Sequence, residues 1–204
     1  MKSFAISLFF AGVITAAAAA AAQTYRIDPA NSRATIHVGK AGAFSFIAGH
    51  AHEVTGPVES GSVDVDLDAP QNSRVSLVIA TRELKVSPAG EPEGDVPKVQ
   101  DAMDSDKVLD VNRFPRITYD STTVAVKSRS SKVLDLVVTG RLTIRDATQT
   151  VTTPVRVELG ENAMTATGRF EVKQTAFGIK PVSVGGVVAV KDALEIAFSV
   201  TARK

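Results

Sequence analysis

The sharpest chemical signal in this sequence is a pair of histidines in Gly49-His50-Ala51-His52-Glu53. Residues two apart in an extended chain share a side. The imidazoles of His50 and His52 are therefore candidate ligands for one zinc or copper ion, with Glu53 or the third histidine, His37, as a further donor. The plainer reading makes them hydrogen-bonding groups at a barrel rim, because a His-x-His pair lacks a third ligand at defined spacing. Asp101, Asp104, Asp106 and Asp110 form an acidic cluster. Two carboxyls there suit general acid–base work only if their surroundings separate their pKa values; otherwise they are the solvated side of a short helix and its exit. Asp64, Asp66 and Asp68 alternate with Val63, Val65 and Leu67. That pattern predicts the outer face of a strand, since the glycine and final glutamate of a calcium loop are missing.

Other catalytic signatures are absent. The chain has no Gly-x-Ser-x-Gly elbow, no phosphate-cradling Gly-x-x-x-x-Gly-Lys and no dinucleotide fingerprint. It has no cysteine, which excludes disulfides, thiolate metal sites, a cysteine nucleophile and a lipidated N-terminal cysteine.

The first residues read as an export leader: Lys2, an apolar stretch from Phe4 to Ile14, then an alanine run ending Ala20-Ala21-Ala22-Gln23. Small side chains there suit signal peptidase, and cleavage is expected near Ala22. The strongly apolar part is too short to span a bilayer well. The expected mature chain is a single domain, 23–204, periplasmic or secreted. The 23 Lys+Arg and 22 Asp+Glu of the whole chain become 22 of each once Lys2 is removed. A neutral mature chain has no electrostatic reason to bind nucleic acid or anionic lipid surfaces.

Alternation with period two dominates the rest. Val75, Leu77 and Ile79 share a face; so do Leu134, Leu136 and Val138, continued through Gly140 by Leu142 and Ile144. Met164, Ala166, Gly168, Phe170 and Val172 make another stripe, and Leu194, Ile196, Phe198 and Val200 the last. One apolar and one wet face mark antiparallel strands around a core. Further strands are expected at 33–39, 53–58, 61–68, 116–127 and 151–159, with turns at Ser60-Gly61, Gly160-Glu161-Asn162 and Gly185-Gly186. Residues 87–97 read as a loop, followed by one helix at about 97–105 that Asp95 caps and Pro97 begins. Gly140 and Gly168 inside strand patterns suggest the corners of a barrel. The fold class is all-β: an antiparallel barrel of about eight strands with one short helix in a long loop.

Four segments, in order, resemble one family. Tyr25-Arg26-Ile27-Asp28-Pro29-Ala30-Asn31-Ser32 is similar to the opening of the YceI-like, polyisoprenoid-binding proteins. So are Asp110 to Tyr119, the run from Gly140 to Val151, and Thr175-Ala176-Phe177-Gly178-Ile179, where Ala176 replaces the usual acid. Ile47-Ala48-Gly49-His50-Ala51-His52 departs from the family's Gly-x-Phe segment. The resemblance implies an extended lipocalin-like barrel holding a long apolar ligand, such as an isoprenoid quinone or polyprenyl lipid.

The functional expectation is therefore a non-enzymatic carrier or store for an isoprenoid-like lipid, without a cofactor. A barrel of about eight strands holds one small ligand in an apolar lining. Phe44, Phe46, Phe114, Ile117, Phe170, Phe177 and Phe198 are the candidate contacts. The rivals are a metal-binding protein or metal-dependent enzyme using His50 and His52, and a secreted structural module with a filled core. An outer-membrane barrel is disfavoured, because no Trp and two Tyr cannot form aromatic girdles. The leader has a direct check: intact-mass measurement of protein from its host's periplasm or medium is expected to lack residues 1–22, and their retention in a cytosolic fraction would refute it.

Overall fold

A computed structural model describes residues 23–41, 51–92, 94–184 and 188–204. The expected leader, the Gly185-Gly186 turn, and Phe44, Phe46 and His50 lie outside the described residues. Within them the chain forms one antiparallel sheet that closes on itself.

Three of the barrel staves are broken strands. β1 (Gln23–Ile27) and β2 (Arg33–Ala41) run in one direction along β12 (Val188–Arg203). β3 (His52–Pro57) and β4 (Ser60–Val65) likewise run along β2 and β1. β5 (Arg74–Ala80) and β6 (Lys85–Val86) continue the pattern against β4 and β3. β7 (Arg116–Arg129), β8 (Val133–Ile144), β9 (Ala147–Leu159) and β10 (Ala163–Lys173) are unbroken, β11 (Ser183–Val184) is a short pair to β12, and β10 returns to β12. Counting each broken pair once gives a closed eight-stave barrel with neighbours in sequence order. Ser60-Gly61 is thus no turn, as the sequence suggested, but a kink within one stave. Gly61 has φ 148°, and a Cβ on it would lie 2.1 Å from the Ser76 carbonyl oxygen, so only glycine fits.

The segment at the break in the first stave ties the two chain ends together. Asp28 caps a 3₁₀ turn, Pro29–Asn31, by accepting from the Ala30 amide, and it also accepts from Arg203 Nε at 2.6 Å. Arg203 and Asn31 together hold the Asp28 carboxyl below its usual range. Buried Ser32 donates from Oγ to the Thr201 carbonyl (3.1 Å) and accepts from the Thr201 amide (3.0 Å).

The barrel opens between β6 and β7, and the helix sits there. α1 (Asp95–Asp104) begins two residues before the expected start, after Gly94 in the left-handed region. Asp95 is the first helical residue and not the cap, and lies 2.8 Å from Lys98. Gln100 replaces the missing strand partner: its Oε1 accepts from the Val86 amide (2.9 Å) and its Nε2 donates to the Leu84 carbonyl (3.1 Å). The acidic cluster is not uniformly solvated either. Asp110 is buried, with φ 48°, and pairs with Arg113 at 3.3 Å. Asp66 lies beyond β4 and accepts from the Asp68 and Ala69 amides, forming a turn and not a strand face.

Gly140 meets the expected corner: the β7–β8 register shifts between Ser121 and Thr123, opposite it. At Gly168 the ladder to β12 is regular but the ladder to β9 ends, with Val155–Gly168 its last pair, so this glycine also stands where the sheet changes course; it is there for space as well. A Cβ would lie 2.5 Å from Phe198 Cζ and 2.8 Å from the Pro154 carbonyl oxygen. By strand propensity alone Gly168→Val should gain up to about 1 kcal/mol; the clash predicts a loss of about 1–3 kcal/mol instead. Chemical denaturation is expected to show that loss, with part of it recovered when Phe198→Ala is added.

Candidate functional site

Apolar side chains of the staves face inward and form two packed clusters. One, at the end away from α1, is built around Tyr25, Val58, Leu134, Met164 and Ala202; the other, at the α1 end, around Val54, Leu142, Val172, Phe177 and Ile179. Between and within them lies a cavity of about 590 Å³, inside the size range of small-molecule sites. Ile79 and Tyr119 touch both clusters and mark its waist. Val99, Ala102 and Met103 of α1 complete the wall where β6 and β7 part.

The expected contacts divide. Ile117, Phe170 and Phe198 line the cavity, and the two phenylalanine rings stand 6.4 Å apart at 56°. Phe114 does not line it. Ile117 and Tyr119 set an odd-numbered inward parity for the start of β7, before the register shift after Ser121, and Phe114 precedes the strand. Its ring lies between the guanidinium groups of Arg113 (5.0 Å) and Arg145 (5.5 Å), a cation–π arrangement. Phe177 is 1% exposed within the α1-end cluster; the 3₁₀ turn Gln174–Phe177 makes it part of the packing at that end and not of the wall.

The histidines also separate. β2–β3 pairing sets His37 opposite Glu53 and Val38 opposite His52. Val38 and His52 line the cavity. His37 and Glu53 therefore face out, 3.5 Å apart and both well exposed. They cannot join His52 on one ion. His52 Nδ1 instead lies 2.7 Å from Glu91 Oε1, and that carboxylate is 1% exposed. Among the described residues no group of three histidine, cysteine, aspartate or glutamate side chains converges on a metal-sized space.

Polar groups on the wall are few and unevenly placed. Lys40, His52, Asp95 and Lys98 gather at the α1 end, and Ser73 lies at the other. Thr153 donates to the Arg169 carbonyl (2.9 Å) and Gln174 to the Lys191 carbonyl (2.8 Å), so the barrel's own backbone satisfies both. Tyr119 is different. Its hydroxyl is buried and has no hydrogen-bond partner among the described residues. The phenol end takes the place of a Gly140 side chain: a Cβ there would lie 2.4 Å from Tyr119 Cζ and 2.5 Å from Oη. Alternation would have found this residue, two positions after Ile117, but its hydroxyl hid it among the polar letters.

Comparisons agree with this architecture. A family model described as YceI-like domain matches residues 25–202. No curated protein matches the sequence. The fold is similar to that of BcnA from Burkholderia cenocepacia, at TM-score 0.61 and 21% identity, covering 86% of this chain and 98% of that one. It is similar also to a polyisoprenoid binding domain from Saccharophagus degradans implicated in plant cell wall breakdown, at TM-score 0.59 and 11% identity, covering 88% and 97%. A YCEI protein of Campylobacter jejuni matches at TM-score 0.52 and 13% identity, covering 73% and 84%.

Burial pushes the Tyr119 hydroxyl up to about 12, against an ordinary value of 10.0. The folded state thus holds this proton more tightly than the unfolded state does. Any stability linked to it is intact below pH 10 and lost as pH rises from about 10 towards 12. Absorbance at 295 nm is expected to show one of the two tyrosines ionising late. Urea midpoints across that range should fall more steeply for the wild type than for Tyr119→Phe.

Proposed function

The chain belongs to the YceI-like domain family, and on that footing we propose that it is an exported carrier or store for a long apolar isoprenoid-like molecule, an isoprenoid quinone or a polyprenyl lipid. The observation that carries this reading is the cavity of about 590 Å³ inside a closed barrel, walled by valine, leucine, isoleucine and phenylalanine. A purely structural module would collapse its side chains into that space, because atoms facing a void lose their dispersion partners. A bound lipid restores those contacts and leaves water at the same time. The name of the Saccharophagus domain, a polyisoprenoid binding domain, supports the ligand class. The leader-like residues 1–22 support export to the periplasm or medium. The family match and the apolar wall support a role in binding and not in catalysis.

Occupation of the cavity stabilises the folded state by mass action. Delipidated protein is therefore expected to melt lower than protein purified from its host. A prenylated quinone or polyprenyl lipid at a hundred times its Kd should restore about 5–10 °C. Phe170→Asp places a charge on the wall and should abolish that rescue, with its own unfolding curve recorded to confirm folding. His52 lines the wall beside Glu91, so the rescue of His50→Ala with His52→Ala is measured from that variant's own delipidated melting temperature, and it should persist. If no apolar lipid raises the melting temperature, but zinc or copper does in a manner lost with those two histidines, the carrier reading is wrong.

A further inference from the structure

We propose that Tyr119 is a specificity residue: its hydroxyl donates a hydrogen bond to an oxygen acceptor on the bound lipid at the waist of the cavity, so that the site selects apolar molecules carrying a carbonyl or similar oxygen over plain hydrocarbons. The inference rests on the carrier reading and deepens it.

Three observations converge. The Tyr119 side chain lines the cavity, yet its hydroxyl is buried without a partner. A buried donor left unpaired is costly, and native interiors seldom retain one without a use. Two other polar side chains of the wall, Thr153 and Gln174, are satisfied by backbone carbonyls; an inert role for Tyr119 would have been met in the same way or by phenylalanine. Finally, the phenol lies over Gly140, one inward position along β8 from its partner Leu142, and Gly140 presents no side chain to confine it. On this proposal the phenol turns from the wall towards the lumen when an acceptor arrives. Position matters as well. Tyr119 touches both apolar clusters, so the acceptor is held midway, away from the ionic groups of Lys40, Asp95 and Lys98 at the α1 end. A neutral phenol amid apolar side chains suits a neutral acceptor; an anionic headgroup would find no compensating positive charge at the waist.

The test compares two probes of one shape, 2-tridecanone and 2-methyl-1-tridecene, which differ by C=O against C=CH₂. Their affinities for delipidated wild-type protein and for Tyr119→Phe are read by displacement of N-phenyl-1-naphthylamine. Comparing the two proteins cancels the difference in hydration of the probes. The expected result is a loss of about tenfold in ketone affinity in Tyr119→Phe, with the alkene unchanged. The carbonyl carbon of ¹³C-labelled ketone should resonate at lower field when bound to the wild type than when bound to the variant. If both probes bind but the variant treats them as the wild type does, the Tyr119 inference fails and the carrier reading stands. If neither probe binds the wild type, both fall.

Discussion

The seam between the first and last staves is the constraint on which the rest of the molecule depends. With no cysteine in the chain, nothing covalent holds the barrel shut. Closure rests on the ladders of β1 and β2 to β12 and on a polar clasp around the break between them. Ser32 exchanges two hydrogen bonds with the Thr201 backbone, and Asp28 grips Arg203. Once the seam is closed, β6 keeps an edge on its β7 side, which Gln100 pairs as a strand would, and β9 and β10 part beyond the Val155–Gly168 pair. Along the paired lengths the backbone groups of the wall are engaged in the ladder, and the inner face is left to side chains. The Tyr25–Ser32 segment that resembles the family's opening is, in this light, largely the machinery of closure.

Closure sets the volume inside, and the side chains do not fill it. The two inward glycines show how the surplus is kept. Large residues at 140 and 168 would thrust into the lumen; glycine lets Tyr119 and Phe198 lie in those places against the wall. The aromatic rings thus cover the barrel where it has no side chain of its own, and the lumen remains open beside them. Glycine in a strand interior loses backbone entropy and packing. Here that loss is offset by aromatic contact on one side and, on the carrier reading, by ligand contact on the other.

Much of this was legible in sequence, for a simple physical reason. A sheet with one buried face writes its register into the letters with period two, so the inward stripes 134–138, 164–172 and 194–200 could be read directly, and with them the all-β barrel. Breaks within a stave were not legible. Ser60-Gly61 carries turn chemistry, yet the next segment continues in the same direction because β4 finds β1 where β3 had found β2. Phe114 and Phe177 show the same limit for the site: both are aromatic and close to strands, but they stand in turns, where parity assigns no face. His37 and His52 belong to neighbouring staves, and only the pairing register reveals that one faces out and the other in.

The closed wall also gives meaning to the polar groups that remain inside. A barrel stave spends its amides and carbonyls on its neighbours, so an interior side chain can bond to backbone only where a stave ends, bends or is interrupted. Gln174 does so at the end of β10, and Thr153 does so where Pro154 removes an amide from the β9 ladder. Tyr119 pairs with Leu142, two residues before the β7–β8 register shift, yet its hydroxyl has no partner among the described residues. On the proposed reading, it is satisfied by what enters the lumen. One donor of the wall is thereby left to the contents and not to the container.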